Sequence, residues 1–153
     1  MKHRLDFVTN SSSSSFVMAF TSKSNIPVEA TKGMPSNGKL RIPRLLADLL
    51  KAKKMTVDEV WDEISEEVYW TEEFNLRYKN QNDPILNRRD YRETEEFKNT
   101  VKANTEQQHK RLLRVAKNKP VFTIIEYGDH TDGDMEHEIM PRHKNTVYVQ
   151  SNH

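Results

Sequence analysis

Residues 119–140, KPVFTIIEYGDHTDGDMEHEIM, constrain the fold of this chain more than any other stretch. Residues 121–127 (VFTIIEY) are mostly β-branched or aromatic, the side chains that suit a pleated, half-buried surface. Asp132-Gly133 follows, a dipeptide suited to a two-residue type I′ turn because both central residues there take positive φ. The two signals predict a β-hairpin whose return strand runs to Met140. Side chains alternate across a strand, so one face carries Phe122, Ile124, Glu126, Gly128 and His130, joined by Met135, His137 and Ile139 from the return strand. A loop over 141–145 then lets a third strand pair with the second. That pairing sets Val149 opposite His137 and Ser151 opposite Met135, and His153 continues the same face. Glu126, His130, His137 and His153 converge at one end of this face, whereas Asp129, Glu136 and Glu138 fall on the other. A slip of one residue would scatter the cluster.

Three imidazoles and a carboxylate within cross-strand reach are chemically suited to a divalent metal such as zinc, manganese or iron. A water bound to that metal would be a hydrolytic nucleophile. The spacing is not that of HExxH, and the tip of a hairpin is also where polar residues are simply solvated. The aspartates do not follow the longer alternating pattern of an EF-hand loop.

Near the other end of the chain, Leu5, Phe7 and Val8 predict a short strand and residues 16–20 (FVMAF) a second. Between them stand Asn10, Ser11, Ser12, Ser13, Ser14 and Ser15. This run reads as a flexible polar connector, or as an ordered cradle in which backbone N–H groups and hydroxyls hold an anion. The serines are also candidates for modification. No lysine follows the run and a strand succeeds it, so it is not a P-loop.

The opening LDFVTNSSSSSFV resembles an N-terminal segment found in uncharacterised bacterial and phage proteins. The residues that carry the resemblance are Phe7, Val8, Asn10, Ser11 to Ser15 and Phe16. The ending HEIMPRHKNTVYVQSNH is similar to the ends of some of those proteins. The resemblance implies a bacterial or phage origin and carries no activity with it.

The middle of the chain reads as helical. Residues 22–38, with Pro27, Gly33, Pro35 and Gly38, predict a loop. Pro43 then suits a first helical turn, Leu45, Leu46, Leu49 and Leu50 form an apolar stripe, and Lys51, Lys53 and Lys54 suit the C-terminus. Thr56 with Glu59 forms a capping box for a helix bearing Val57, Val60, Trp61, Ile64 and Val68. Two helices so joined predict an αα-hairpin. A DNA-reading helix-turn-helix is excluded, because residues 55–73 carry Asp58, Glu59, Asp62, Glu63, Glu66, Glu67, Glu72 and Glu73 with no lysine or arginine. That acidic face, and Glu63, Glu66 and Glu67 in particular, is either solvated or turned to a basic protein partner. Thr71 predicts the start of a short helix carrying Phe74, Leu76 and Tyr78, broken over 80–84. Asp90 with Glu93 predicts the cap of a long helix to Asn118, as one element or two because 104–108 is polar throughout. The cations Lys110, Arg111, Arg114, Lys117 and Lys119 suit its end, where the helix dipole favours them, or form a phosphate-contacting face.

Composition sets outer limits. A length of 153 residues predicts one domain, residues 1–153. With 24 Lys and Arg against 23 Asp and Glu, the net charge of +1 lacks the basic excess of a nucleic-acid binder. The absence of cysteine excludes disulfides, thiolate zinc sites and cysteine nucleophiles. No apolar run approaches a membrane span and no signal-peptide pattern opens the chain, so a cytoplasmic protein without membrane contact is expected. No GxSxG elbow is present, and four glycines provide no dinucleotide fingerprint. The expected fold is α+β: a small, mainly antiparallel sheet from strands near 4–21 and 120–153, packed against a helical region at 43–118. The expected function is that of a non-catalytic binding or regulatory protein. The alternative is a metal-dependent hydrolase built on Glu126, His130, His137 and His153.

Overall fold

The computed structural model describes residues 13–79 and 94–151. Three strands form one antiparallel sheet: β1 (Ser13–Phe20), β2 (Val121–Gly128) and β3 (Thr146–Ser151), in the order β2-β1-β3. The N-terminal strand is thus central, flanked by the two C-terminal ones, and the α+β expectation holds. All of β1 is buried, because a ladder closes each of its edges and helices cover both of its faces. Phe16, Met18 and Phe20 point into one core, and Val17 and Ala19 into the other. Ser13, Ser14 and Ser15 belong to this strand, so this half of the serine run is not a connector. Ser11, Ser12 and the strand predicted around Leu5 to Val8 lie outside the described residues.

One face is covered by α1 (Ile26–Gly33), a 3-10 turn (Ser36–Arg41), α2 (Ile42–Lys51) and the segment that follows β2. The presence of α1 corrects the loop predicted over 22–38. Pro27 sits harmlessly in its first turn, and Ile26 and Ala30 are one helical turn apart on the buried side. Gly33 ends the helix where the chain passes closest to the β3 side: a Cβ there would lie 2.5 Å from His143 Cε1 and 2.6 Å from Asn145 Oδ1. The same small contact lets Lys144 N donate to Gly33 O at 3.1 Å.

The other face is covered by α3 (Val57–Lys79) and α4 (Glu95–Ala116), with Val60, Ile64, Val68 and Leu112 in the core. The capping box forms as expected: Thr56 N donates to Glu59 Oε1 at 2.9 Å and Glu59 N to Thr56 Oγ1 at 3.2 Å. Thr71, however, starts no separate helix. α3 passes through it unbroken, and its hydroxyl is engaged by Gln150 of β3. Thr94 caps α4 by accepting from Phe97 N, while the cap predicted at Asp90 and Glu93 lies outside the described residues. The polar stretch 104–108 does not divide α4. Just beyond it His109 stacks on Trp61 of α3, with ring centroids 4.5 Å apart.

The expected αα-hairpin is absent: α2 and α3 lie on opposite faces of the sheet. Residues 52–56 carry the chain around the β2 edge, where Met55 and Phe122 exchange two backbone hydrogen bonds of 2.8 Å.

The predicted hairpin is also absent. β2 forms as expected, but α5 (Asp129–Asp134) follows it, then a π-helical turn (Met135–Ile139) and a 3-10 turn (Met140–Arg142). Among the described residues no glycine takes positive φ, so Asp132-Gly133 is not a type I′ turn. Apolar spacing gives the physical reason. Met135, Ile139 and Met140 are all buried in the same core, whereas a strand would turn Met140 away from the other two. Asp134 supports the new turn by accepting from Met135 N at 2.9 Å. Salt bridges from Arg41 to Asp134 and from Arg44 to Asp132 tie the segment to α2 and the turn before it.

Candidate functional site

Without the hairpin, the register that gathered Glu126, His130, His137 and His153 does not exist. Glu126 is exposed on β2, where Ser13 Oγ donates to its Oε2 at 3.1 Å. His130 falls in α5, and His153 lies outside the described residues. His137 is half-exposed on the π-helical turn, its Nε2 3.4 Å from Glu136 Oε1. Among the described residues no group of three or more histidines and carboxylates could hold a metal ion.

What does meet at this end of the sheet is a set of structural polar contacts. Ser13 lies opposite Gly128 in the ladder, and Ser14 Oγ donates to the buried Glu136 Oε2 at 2.6 Å. Both hydroxyls therefore point at carboxylates, and the strand's backbone lies in the ladders. This is the reverse of an anion cradle. Beside them Tyr127 OH donates to Asp48 Oδ2 at 2.7 Å, and the Arg44 guanidinium lies over the tyrosine ring, 5.5 Å from its centroid. Burial, reinforced by Asp48, pushes the Tyr127 phenol well above its ordinary range. The hydrogen bond to Asp132 likewise raises Arg44, so both groups hold their protons at any ordinary pH. These groups tie α2 and α5 to the sheet and present no reactive atom.

The acidic face of α3 is different, because it does not end in solvent. Glu59, Glu63, Glu66, Trp70 and Phe74 are all exposed and follow one another at intervals of four, three, four and four residues, a single line along the helix. Glu67 lies beside this line, half-buried, so Glu63, Glu66 and Glu67 cluster just before the two aromatics. Trp70 is 56% exposed and Phe74 64%. Tyr69 braces the indole edge-on at 5.6 Å between centroids. No lysine, arginine or histidine occurs from Val57 to Leu76.

The two aromatics sit where α3 crosses the β3 edge. Gln150 Nε2 donates to Thr71 Oγ1 at 3.1 Å, and Tyr148 OH donates to Gln150 Oε1 at 3.0 Å, which fixes helix to strand. Between them lies a groove of about 420 Å³, lined by Glu67, Trp70, Thr71, Phe74, Val149 and Gln150 among others. Val149, 38% exposed and paired opposite Phe16, adds the edge of the strand to its rim. The local field is negative. Burial, with Glu72 and Glu67 opposing any phenolate, pushes Tyr148 up to about 12. Sequence reasoning found the carboxylates and read Trp70 as a core or interface residue, but did not join Trp70, Phe74 and Val149 to that face. The available signal was an aromatic pair at i, i+4 on the polar side of an amphipathic helix.

No protein-family model, no curated protein and no solved structure matches this chain. Among the described residues no helix is long and apolar enough to cross a membrane. What the groove can do therefore follows from its own chemistry. It offers exposed aromatic surface for an apolar anchor, bordered by carboxylates that favour cations.

Proposed function

We propose that this chain is a non-catalytic binding or regulatory protein of a bacterium or phage, acting in the cytoplasm, that captures a basic protein partner on its α3–β3 face. The observation that carries this reading is the exposure of Trp70 and Phe74 in line with Glu59, Glu63 and Glu66. Large aromatics cost free energy in water and are enriched at the centres of protein interfaces. A border on which carboxylates outnumber cations, Lys53 pairing with Glu59 and Arg77 with Glu73 at its two ends, selects a basic partner and makes the encounter sensitive to salt. The resemblance of residues 5–17 to bacterial and phage proteins supports the assigned origin. The hydrolase reading loses its support with the hairpin that was to assemble it.

Trp70 is its own reporter once the second indole is removed with Trp61→Phe. Titration with a synthetic peptide of a short valine run flanked by lysines is expected to shift Trp70 emission to the blue. The shift should weaken as salt rises, and disappear in Phe74→Ser or when Glu63, Glu66 and Glu67 are changed together to lysine. An unresponsive indole, or an equal response to a glutamate–valine peptide, would refute the reading.

A further inference from the structure

We infer that the partner segment binds as an extended strand, pairing its backbone with the outer edge of β3 while its apolar side chains enter the groove beneath Trp70 and Phe74. The inference rests on the proposed binding function and adds its geometry.

Three features of the sheet point to it. First, β1 is closed on both edges and the β2 edge is bridged at Phe122 by Met55, whereas β3 pairs only with β1 among the described residues. Second, β3 reads TVYVQS, β-branched and aromatic, with no charge and no proline. Charges, prolines and very short edge strands are the usual means of keeping other chains off an edge, and an edge without them is a template for pairing. The strand does carry a register irregularity at Val17/Met18, opposite its first residues. From Tyr148 to Ser151 it runs in regular register with Val17 to Ser14, so its outer edge is straight there. Third, the groove lies along that same stretch, lined by Val149, Gln150 and Ser151. A strand added here would place every second side chain against Trp70 and Phe74, the arrangement in which main-chain bonds supply affinity and alternate pockets supply specificity.

Charge decides between the two occupants that an open edge admits. In an antiparallel pairing of β3 with β3 of a second copy, the two-fold axis is perpendicular to the sheet. Both α3 helices would then lie on the same face with their carboxylates side by side. Like charges so placed oppose association. A basic strand meets the same carboxylates favourably, which leaves a lysine- or arginine-bearing extended segment of another protein as the occupant.

The test places the perturbation in the ligand, so the fold of the protein is untouched. Two versions of the lysine–valine peptide are made, N-methylated at alternate residues in the two possible phases. Methylation removes N–H donors from one edge of the added strand at a time. One phase should bind about ten-fold more weakly than the parent, the loss of roughly two main-chain hydrogen bonds, and the other nearly as well. Binding of the parent should also slow amide hydrogen exchange in β3. Equal affinity of both methylated peptides with the parent would overturn strand addition while leaving the binding face intact. Failure of the parent peptide to bind would instead remove the face itself. A dimer of the protein alone that dissociates on Val149→Lys would overturn the choice of partner in favour of a second copy.

Discussion

At the β2 edge of the sheet, Met55 closes on Phe122 with two backbone hydrogen bonds as the chain passes from α2 to α3. At the β3 edge the described residues provide no such closure, and the helix crossing it contributes exposed aromatics instead. The two edges flank the same central strand and belong to the same small sheet, yet one is built as core and the other as surface. The cause lies in what each borders. Phe122 is fully buried between the strand and the two helices of its face, so the β2 edge contributes to folding. Val149 and Trp70 are left in solvent, where they contribute little to the stability of the isolated chain and are available for association.

The contrast breaks most readily at its strong side. Phe122→Ala should cost about 3–5 kcal/mol, read from the midpoint of urea unfolding, whereas Val149→Ala should stay within about 0.5 kcal/mol. Similar losses at both positions would mean that the edges are equivalent. The next largest effect sharpens the division between buried and surface contacts on β1 itself. Ser14→Ala removes the hydroxyl that the buried Glu136 accepts and should cost about 1–3 kcal/mol. Ser13→Ala loses a contact to the exposed Glu126 and should cost less than Ser14→Ala in the same assay.

A third effect concerns how β3 is anchored from behind. His143, buried just before the strand, accepts from Asn145 N at Nδ1, so its Nε2–H donates to Ala30 O at 2.8 Å. Burial lowers its pKa below 6.5, with Lys119 acting in the same direction and the Ala30 carbonyl opposing both. A histidine depressed in the folded state binds fewer protons there than in the unfolded chain. Its contribution to stability is therefore complete above pH 6.5 and declines as the pH falls through the folded value. Thermal melts between neutral and mildly acid pH should fall more steeply for the wild type than for His143→Gln. Parallel slopes would place the pH dependence elsewhere. The smallest effect on stability is expected from Val149→Lys, which puts a charge on the open edge. Its melting curve should match the wild type while its response to the lysine–valine peptide is lost, and a destabilised variant would show that the edge is not surface after all.

Several features were legible in the sequence because local chemistry alone dictates them. The Thr56–Glu59 capping box, the helix of α2 and the strand character of 121–127 depend on neighbours within a few residues, and all three form. So does the strand over 16–20, and with it the sheet of N- and C-terminal strands. Of the leucine stripe, Leu45, Leu46 and Leu49 pack on the core while Leu50 is exposed. The hairpin was misread because Asp132-Gly133 gives a strong local turn signal, while the deciding facts were distant. Arg41 and Arg44 hold the two flanking aspartates, and one core receives Met135, Ile139 and Met140 together. With the hairpin went the histidine cluster, whose existence depended on register alone.

The carboxylates of α3 were visible as a charge pattern, but their meaning was not. Whether an acidic face is merely solvated depends on what lies at its end, and only the crossing of α3 over β3 shows that it runs into Trp70, Phe74 and a strand edge that the described residues leave open. The serine run divides in the same way. Its composition predicted polarity, yet Ser13 to Ser15 became the buried start of the central strand, because two C-terminal strands closed on both of its edges. By itself the sequence determined which segments are helix or strand wherever the apolar period is unambiguous, and that the fold is α+β. The tertiary structure decided which groups meet and which edge the described residues leave open. Those contacts join residues 79 to 122 positions apart, beyond the reach of any local pattern.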